Sequence, residues 1–145
     1  MFKFSLESLL RLNEQFEEQA KNKLGQVTKR LNQAISAFES LDQELNSLYG
    51  RLRQTNSMNS ADLQHFYNYS RLLNMNRVQQ QLVVDKLTQE AGLAKAELIA
   101  RKQEVQKLSR LKEKGRLKYN LLEQRIEQRN LDEIAAGQFV RKRCL

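Results

Sequence analysis

The chain has 145 residues with no proline, no tryptophan and only five glycines, and it carries a formal net charge of +8 at neutral pH. With 29% charged residues and a mean hydropathy of −0.70, little of it enters a thick core, and the shortage of Ile, Val and Thr disfavours sheet and leaves helix as the default. The lone cysteine, Cys144, gives no disulfide framework and fits a reducing compartment.

The opening, "MFKFSLESLL", is interrupted by Glu7 and lacks the apolar run and small-residue cleavage site of a signal peptide. No stretch approaches the roughly 20 apolar residues of a membrane span. These features predict a soluble, cytoplasmic protein. From Leu24 the apolar residues fall at Val27, Leu31, Ala34, Phe38, Leu41, Leu45, Leu48 and Leu52, in alternating steps of three and four. That is a heptad seam, and so narrow a stripe needs a partner helix to be stable in water. Toward the start the seam is expected through Leu6, Leu9, Leu12, Phe16 and Ala20. Its consecutive four-residue steps, from Leu12 through Leu24, predict a locally unwound coil there.

Residues 54–62, "QTNSMNSAD", hold a single large apolar side chain, Met58. Asn and Ser compete with helix by bonding nearby backbone groups, and Ser60 or Asn59 suits an N-cap with Asp62 in the first turn behind it. The stretch therefore predicts a turn over 54–60; a helix running straight through it would require a dimer to cover both seams. Beyond the turn a weaker seam runs through Phe66, Leu73, Val84, Leu87, Ala91, Ala94, Leu98, Val105 and Leu108, then Tyr119, Leu122 and Ile126. Arg77, Gln80, Arg101, Lys112 and Gly115 read as interruptions of it.

The expected fold is all-α: one antiparallel two-helix coiled-coil hairpin, with a first helix over 4–53 and a second over 61–136. Gly137 is expected to stop the second helix, leaving a frayed basic tail over 137–145. A reversal near residue 58 pairs Leu45 with the region of Arg71 and Leu72, and Phe4 with the region of Lys112. The arms are then unequal, roughly 75 Å and 110 Å at about 1.5 Å per residue, so about twenty residues of the second helix project past the first.

Charge is uneven as well. Residues 1–60 hold eight basic and seven acidic residues, whereas residues 61–145 hold 17 and 10. The densest basic part is 101–118, a stripe able to attract nucleic acid, anionic lipid or an acidic protein surface. Catalytic chemistry is not supported. His65 is the only histidine, so neither a Ser-His-Asp or Cys-His arrangement nor a multi-His metal site assembles within the chain. No Gly-rich phosphate loop is present, and the paired carboxylates Glu17 with Glu18 and Asp132 with Glu133 lie on open helix surface. The reading is of a protein without enzymatic activity, cofactor or metal. Tyr49, Phe66, Tyr67 and Tyr69 cluster beside the turn, and four rings cannot all face one seam, so at least one should be an exposed anchor.

The start "FKFSLESLLRLNEQFEEQA" and the later "LKEKGRLKYNLLEQRIEQRNLDEIAAGQF" resemble the two terminal signatures of the flagellar export protein FliJ family. The resemblance implies a coiled-coil stalk of the flagellar type III export apparatus at the cytoplasmic face of the cell membrane. In that family the open end enters the pore of the hexameric export ATPase, the tip side contacts the cytoplasmic domain of the large export gate protein, and export chaperones are also handled. Carried onto this sequence, the ATPase-facing residues would be Phe4, Leu6, Leu9, Leu10, Lys112, Glu113, Leu131, Asp132, Glu133 and Phe139. The gate-facing residues would be Leu45, Tyr49, Phe66, Tyr69, Leu72 and Asn76, with Asn76 polar where the family has an apolar residue. Three other readings stay open from the sequence: the equivalent stalk of a virulence type III secretion system, a nucleic-acid-binding coiled coil using the basic stripe, and a peripheral helix contacting anionic lipid through "FVRKRCL". Against nucleic acid stand the interspersed acidic residues and the lack of any recognition motif.

Overall fold

A computed structural model of the chain describes residues 1–55 and 57–144; Asn56, inside the expected turn, and Leu145, at the end of the expected tail, lie outside the described residues. The chain is all-α. Helix α1 spans Glu7–Gln54 and helix α2 spans Ser60–Arg143. The reversal falls where the polar stretch predicts it. Thr55 caps the end of α1 by donating its hydroxyl to the Arg51 carbonyl at 2.8 Å, and the Asn59 side chain accepts the Asp62 amide at 2.7 Å as the N-cap of α2. The straight-helix reading is excluded.

Two compact units make up the chain: Met1–Glu17 with the part of α2 from Arg101 onward, and Glu18–Ala100. In the second unit the helices pack antiparallel through buried Ala20, Val27, Ala34, Leu45, Leu73 and Ala94. Burial on α2 follows an unbroken heptad. Phe66, Ser70, Leu73, Arg77, Gln80, Val84, Leu87, Ala91, Ala94 and Leu98 are each buried or half-buried, and only Glu90 joins them from outside the register. Arg77 and Gln80 therefore belong to the seam and do not interrupt it. Arg77 donates to Asp42 at 3.0 Å, and Gln80 donates to the Ala34 carbonyl at 3.0 Å, an approach that the small Ala34 side chain leaves open. Lys23 and Glu97 form a further cross-helix pair at 3.4 Å.

In the first unit the same register continues on α2 through Arg101, Val105, Leu108, Lys112, Gly115 and Tyr119. Each of the three positions read as interruptions again has a partner. The Arg101 guanidinium lies 4.7 Å from the Phe16 ring centroid, and Lys112 bridges Glu7 at 2.9 Å. Gly115 makes room for the Phe2 ring, which also packs on Tyr119 with centroids 5.7 Å apart.

Several sequence expectations are corrected here. The α1 seam near the start runs through Leu10, Asn13 and Glu17, with Phe16 beside them. Leu6, Leu9 and Leu12 stay exposed at 39–44%, whereas Leu10 is 4% exposed. The strict alternation on α2 imposes the same alternation on its partner, so the run of four-residue steps from Leu12 is not used and the expected unwinding has no basis. The seam layers lie about two residues beyond the expected register: Leu45 is layered with Leu73, Asp42 meets Arg77, and Lys112 bridges Glu7 while still bordering one hollow with Phe4, as expected. Seam layers set the register, and the midpoint of the turn does not. Finally, α2 runs through Gly137 to Arg143. No glycine has a positive φ, so Gly137 lacks the left-handed conformation of a stop, and an interior helical glycine costs only about 1 kcal/mol, which the flanking helix formers outweigh.

Three outcomes follow for stability. A double-mutant cycle on Asp42→Ala and Arg77→Ala, read by urea unfolding, is expected to give a coupling of about 0.5–1 kcal/mol, since both side chains remain more than a third exposed. Gly92→Ala meets nothing within 4 Å and should stabilise α2 by up to ~1 kcal/mol, whereas Gly115→Ala puts a methyl 3.2 Å from Phe2 and should displace that ring, seen by NMR as loss of the Phe2–Tyr119 ring contact. The hydrogen bond from Lys112, helped by its charge and by Arg11, holds the Glu7 carboxyl below its ordinary range. A depressed folded-state pKa gives stability that is present above the unfolded value and lost as pH falls through the folded one. NMR shifts of residues 2–10 should accordingly report loosening on acidification through and below the glutamate range, and Glu7→Gln should remove that dependence.

Candidate functional site

Beyond Tyr119 no residue of α2 is buried or half-buried: from 120 through 144 every side chain is exposed. Leu122, Ile126 and Val140 continue the seam register on this bare stretch at 50–58% exposure, with Arg129, Glu133 and Ala136 at the intervening positions. Leu117, Leu121 and Leu131 lie on the opposite face and are equally open. A helix with apolar residues on view and nothing packed against it is marginal alone in water.

The residues expected to face an ATPase ring all fall in the first unit, but they do not form one patch. Phe4 and Lys112 are neighbours, lining a shallow hollow with Phe2, Lys3, Glu7 and Arg11. Leu6 and Leu9 are exposed, while Leu10 is buried in the seam and serves packing. Lys112 is held by Glu7, and Glu113 is paired along the helix with Arg116 at 3.0 Å. Leu131, Asp132, Glu133 and Phe139 lie on the bare helix, roughly 30–40 Å from Lys112 at about 1.5 Å per residue. Leu122, Ile126 and Val140 were missing from that set. Their signal was legible as seam register continued without a matching α1 residue.

The gate-facing set falls in the second unit beside the turn. Tyr49 and Phe66 pack edge to face, with centroids 6.4 Å apart, and line a groove of about 600 Å³ with Leu52, Ser60, Leu63, Gln64, Tyr67 and Ser70. Tyr67 is the most exposed ring of the cluster at 63%, and Tyr49 and Tyr69 are exposed too, at 42% and 43%. Tyr69 hydrogen-bonds Glu44, and that carboxylate raises the Tyr69 pKa above its ordinary value, so it stays a neutral phenol. Leu72 and Asn76 are exposed, and Leu45 is buried in the seam. Met75, Val78 and Leu82, which the sequence reading left out, extend the open apolar face of α2 past Leu72. By contrast, α1 exposes no large apolar residue between Leu12 and Tyr49, so exposed apolar surface in this unit is concentrated on α2 and at the turn.

Among the described residues no group of His, Cys, Asp and Glu is arranged to hold a metal, His65 is exposed, and no helix is long and apolar enough to cross a membrane. The only cysteine, Cys144, is exposed. Charge and apolar surface are thus arranged along helix faces and not around an enclosed reactive centre. Compared with known proteins, the chain matches the family described as Flagellar FliJ protein over residues 2–144, while no curated protein and no solved structure matches it. A match over nearly the whole length, agreeing with the all-α two-helix fold and with both terminal signatures, places this chain in the flagellar FliJ protein family, whose members are associated with flagellar type III protein export.

Proposed function

We propose that this protein is a non-enzymatic stalk of the flagellar export apparatus. Its terminal helix engages the pore of the hexameric export ATPase and promotes ring assembly and activity, and its turn side contacts the cytoplasmic domain of the large export gate protein. Export chaperones are further partners in this reading, and attachment to the cytoplasmic face of the membrane at the flagellar base is indirect, through the gate. One observation carries it: 24 consecutive residues of α2, 120–143, are all exposed with no helix packed against them, although the seam register continues into them. A single helix about 10–12 Å across is slender enough to enter a ring of subunits, and its exposed Leu and Ile give the ring something to grip.

The second supporting feature is charge. Residues 101–118 carry eight basic and two acidic residues, and Lys107, Lys114, Lys118, Arg125 and Arg129 follow one edge of α2 at steps of seven and four. Acidic groups lining a pore would attract such an edge over distances set by the Debye length, about 10 Å at 0.1 M salt.

A chain ending at Tyr119 keeps every packed residue, so it should retain its helical pairing and lose most ATPase stimulation; equal stimulation by the truncated and full chains would overturn the stalk reading. Stimulation by the full chain should fall as salt is raised from low to several hundred millimolar, and insensitivity to salt would remove the electrostatic part. At the other end, Leu72→Asp touches no seam contact and should weaken binding to the gate domain by about tenfold or more, ~1.4 kcal/mol, with helix content unchanged by circular dichroism.

A further inference from the structure

The seam positions at the end of α2 are the half-buried Tyr119 and then the exposed Leu122, Ile126, Arg129, Glu133, Ala136, Val140 and Arg143. Reflected about position 131 they set apolar against apolar at Leu122 with Val140 and Ile126 with Ala136, and opposite charges together at Arg129 with Glu133. We propose that this stretch is a self-association surface on which two copies of the chain pair antiparallel, with the two-fold axis beside Leu131.

The pairing rule comes from the protein's own hairpin. In an antiparallel coiled coil the two kinds of seam position face one another across each layer, and the buried residues of α1 and α2 follow that scheme in both units. Applied to a second copy, the rule sets Leu122 against the partner copy's Val140 and Ile126 against its Ala136. Arg129 then faces Glu133 and Arg143 faces the Tyr119 ring, and each of these layers occurs twice. The central layers are two Arg–Glu pairs of opposite charge, the geometry by which polar seam residues fix register and orientation. Within the hairpin Arg77 with Asp42 and Lys112 with Glu7 already do this.

Three further observations favour a second copy as the occupant. The surface is continuous with the α1–α2 interface, because Tyr119 is the last half-buried position and Leu122 is the next in register. Overlap limited to residues 119–143 begins at Tyr119, where the partner copy's own Phe2 already packs from the Gly115 side, so the two hairpins meet at that single layer and leave Leu122 through Val140 uncontested. Charge permits the approach: residues 120–143 carry five basic and four acidic side chains, whereas residues 101–118 carry eight and two and would repel their counterpart. The overlap is a helix pair about 36 Å long, which buries on the order of 700 Å² per copy, close to the ~800 Å² per partner of a standard specific interface. Asp132 flanks the axis and faces its own counterpart, a like-charge contact that sets the association in the reversible range.

The dimer occupies the same seam that the stalk reading assigns to the ATPase ring, and the mutual exclusion of the two states rests on that reading; the dimer itself does not. Analytical ultracentrifugation of the full chain across the micromolar range, without ATPase, tests it. Reversible dimerisation is expected. Ile126→Asp, Arg129→Glu and Glu133→Arg should each weaken it by about tenfold or more, ~1.4 kcal/mol. The double variant Arg129→Glu, Glu133→Arg should recover it, and Leu131→Asn on the opposite face should leave it unchanged. These positions carry no packing in the single chain, so a lost dimer cannot be blamed on a misfolded hairpin. A monomer at every concentration overturns the proposal, as do single charge reversals without effect, a double variant that fails to recover, or a dimer broken by Leu131→Asn. Each of these results leaves ATPase stimulation to be judged separately.

Discussion

Everything in this structure depends on one constraint: two long helices share a single narrow seam, and that seam must hold one register without a wide core to enforce it. Apolar layers alone would tolerate slippage by a heptad, because Leu against Leu looks much the same one repeat along. The layers that do not tolerate it are Arg77 with Asp42, Gln80 with the Ala34 carbonyl, Arg101 with Phe16, Lys112 with Glu7, and Gly115 with Phe2. A slip by one heptad separates each of these partners by roughly 10 Å at 1.5 Å per residue, leaving cations and amides against apolar neighbours. The polar layers contribute little net stability and much specificity.

The same seam explains where function is available. Because α2 keeps its heptad past the point where α1 and the Phe2 ring cover it, the register ends in an open strip at Leu122, Ile126 and Val140. At the other side of the chain, beside the turn, the seam closes on Tyr49 and Phe66 while α2 turns further apolar residues outward. Membership of the flagellar FliJ protein family gives the chain a setting in protein export, and the stalk role proposed above would assign one partner to each surface. Both surfaces consist of helix faces, which suits recognition by shape and charge.

The two-helix plan and the reversal were legible because they rest on local signals: alternating steps of three and four over Leu24–Leu52, and a cluster of Asn and Ser with a ready N-cap at Asn59. What was illegible depends on the partner strand. Arg101 reads as a break until Phe16 is seen beneath it, and Gly115 reads as a weak point until Phe2 fills the gap. Likewise Leu6, Leu9 and Leu12 are as apolar as Leu10, and only the alternation imposed by α2 decides which of them is buried. The end of α2 failed for a different reason: glycine permits a stop without requiring one, and Gly137 has no positive φ. Of the candidate residues, Leu45 already stood on the expected seam and is buried there, whereas the burial of Leu10, next to the expected Leu9, becomes legible only from the alternation of α2.

The central claim is that the helical register outlives its intramolecular partner at Tyr119, so that the helix beyond is unpacked in the single chain and, in the reading proposed, is packed by engagement with another molecule. Residue-resolved amide hydrogen exchange on the dilute full chain, repeated after addition of the export ATPase, tests this most directly. The account predicts strong protection along α2 from Phe66 to Tyr119 in both samples, clearly weaker protection beyond Leu122 in the dilute chain, where the helix is unpacked, and a gain in protection at Leu122, Ile126 and their neighbours in the complex. Protection of residues 122–140 in the dilute chain equal to that of the paired segment, or no gain on adding the ATPase, would contradict it.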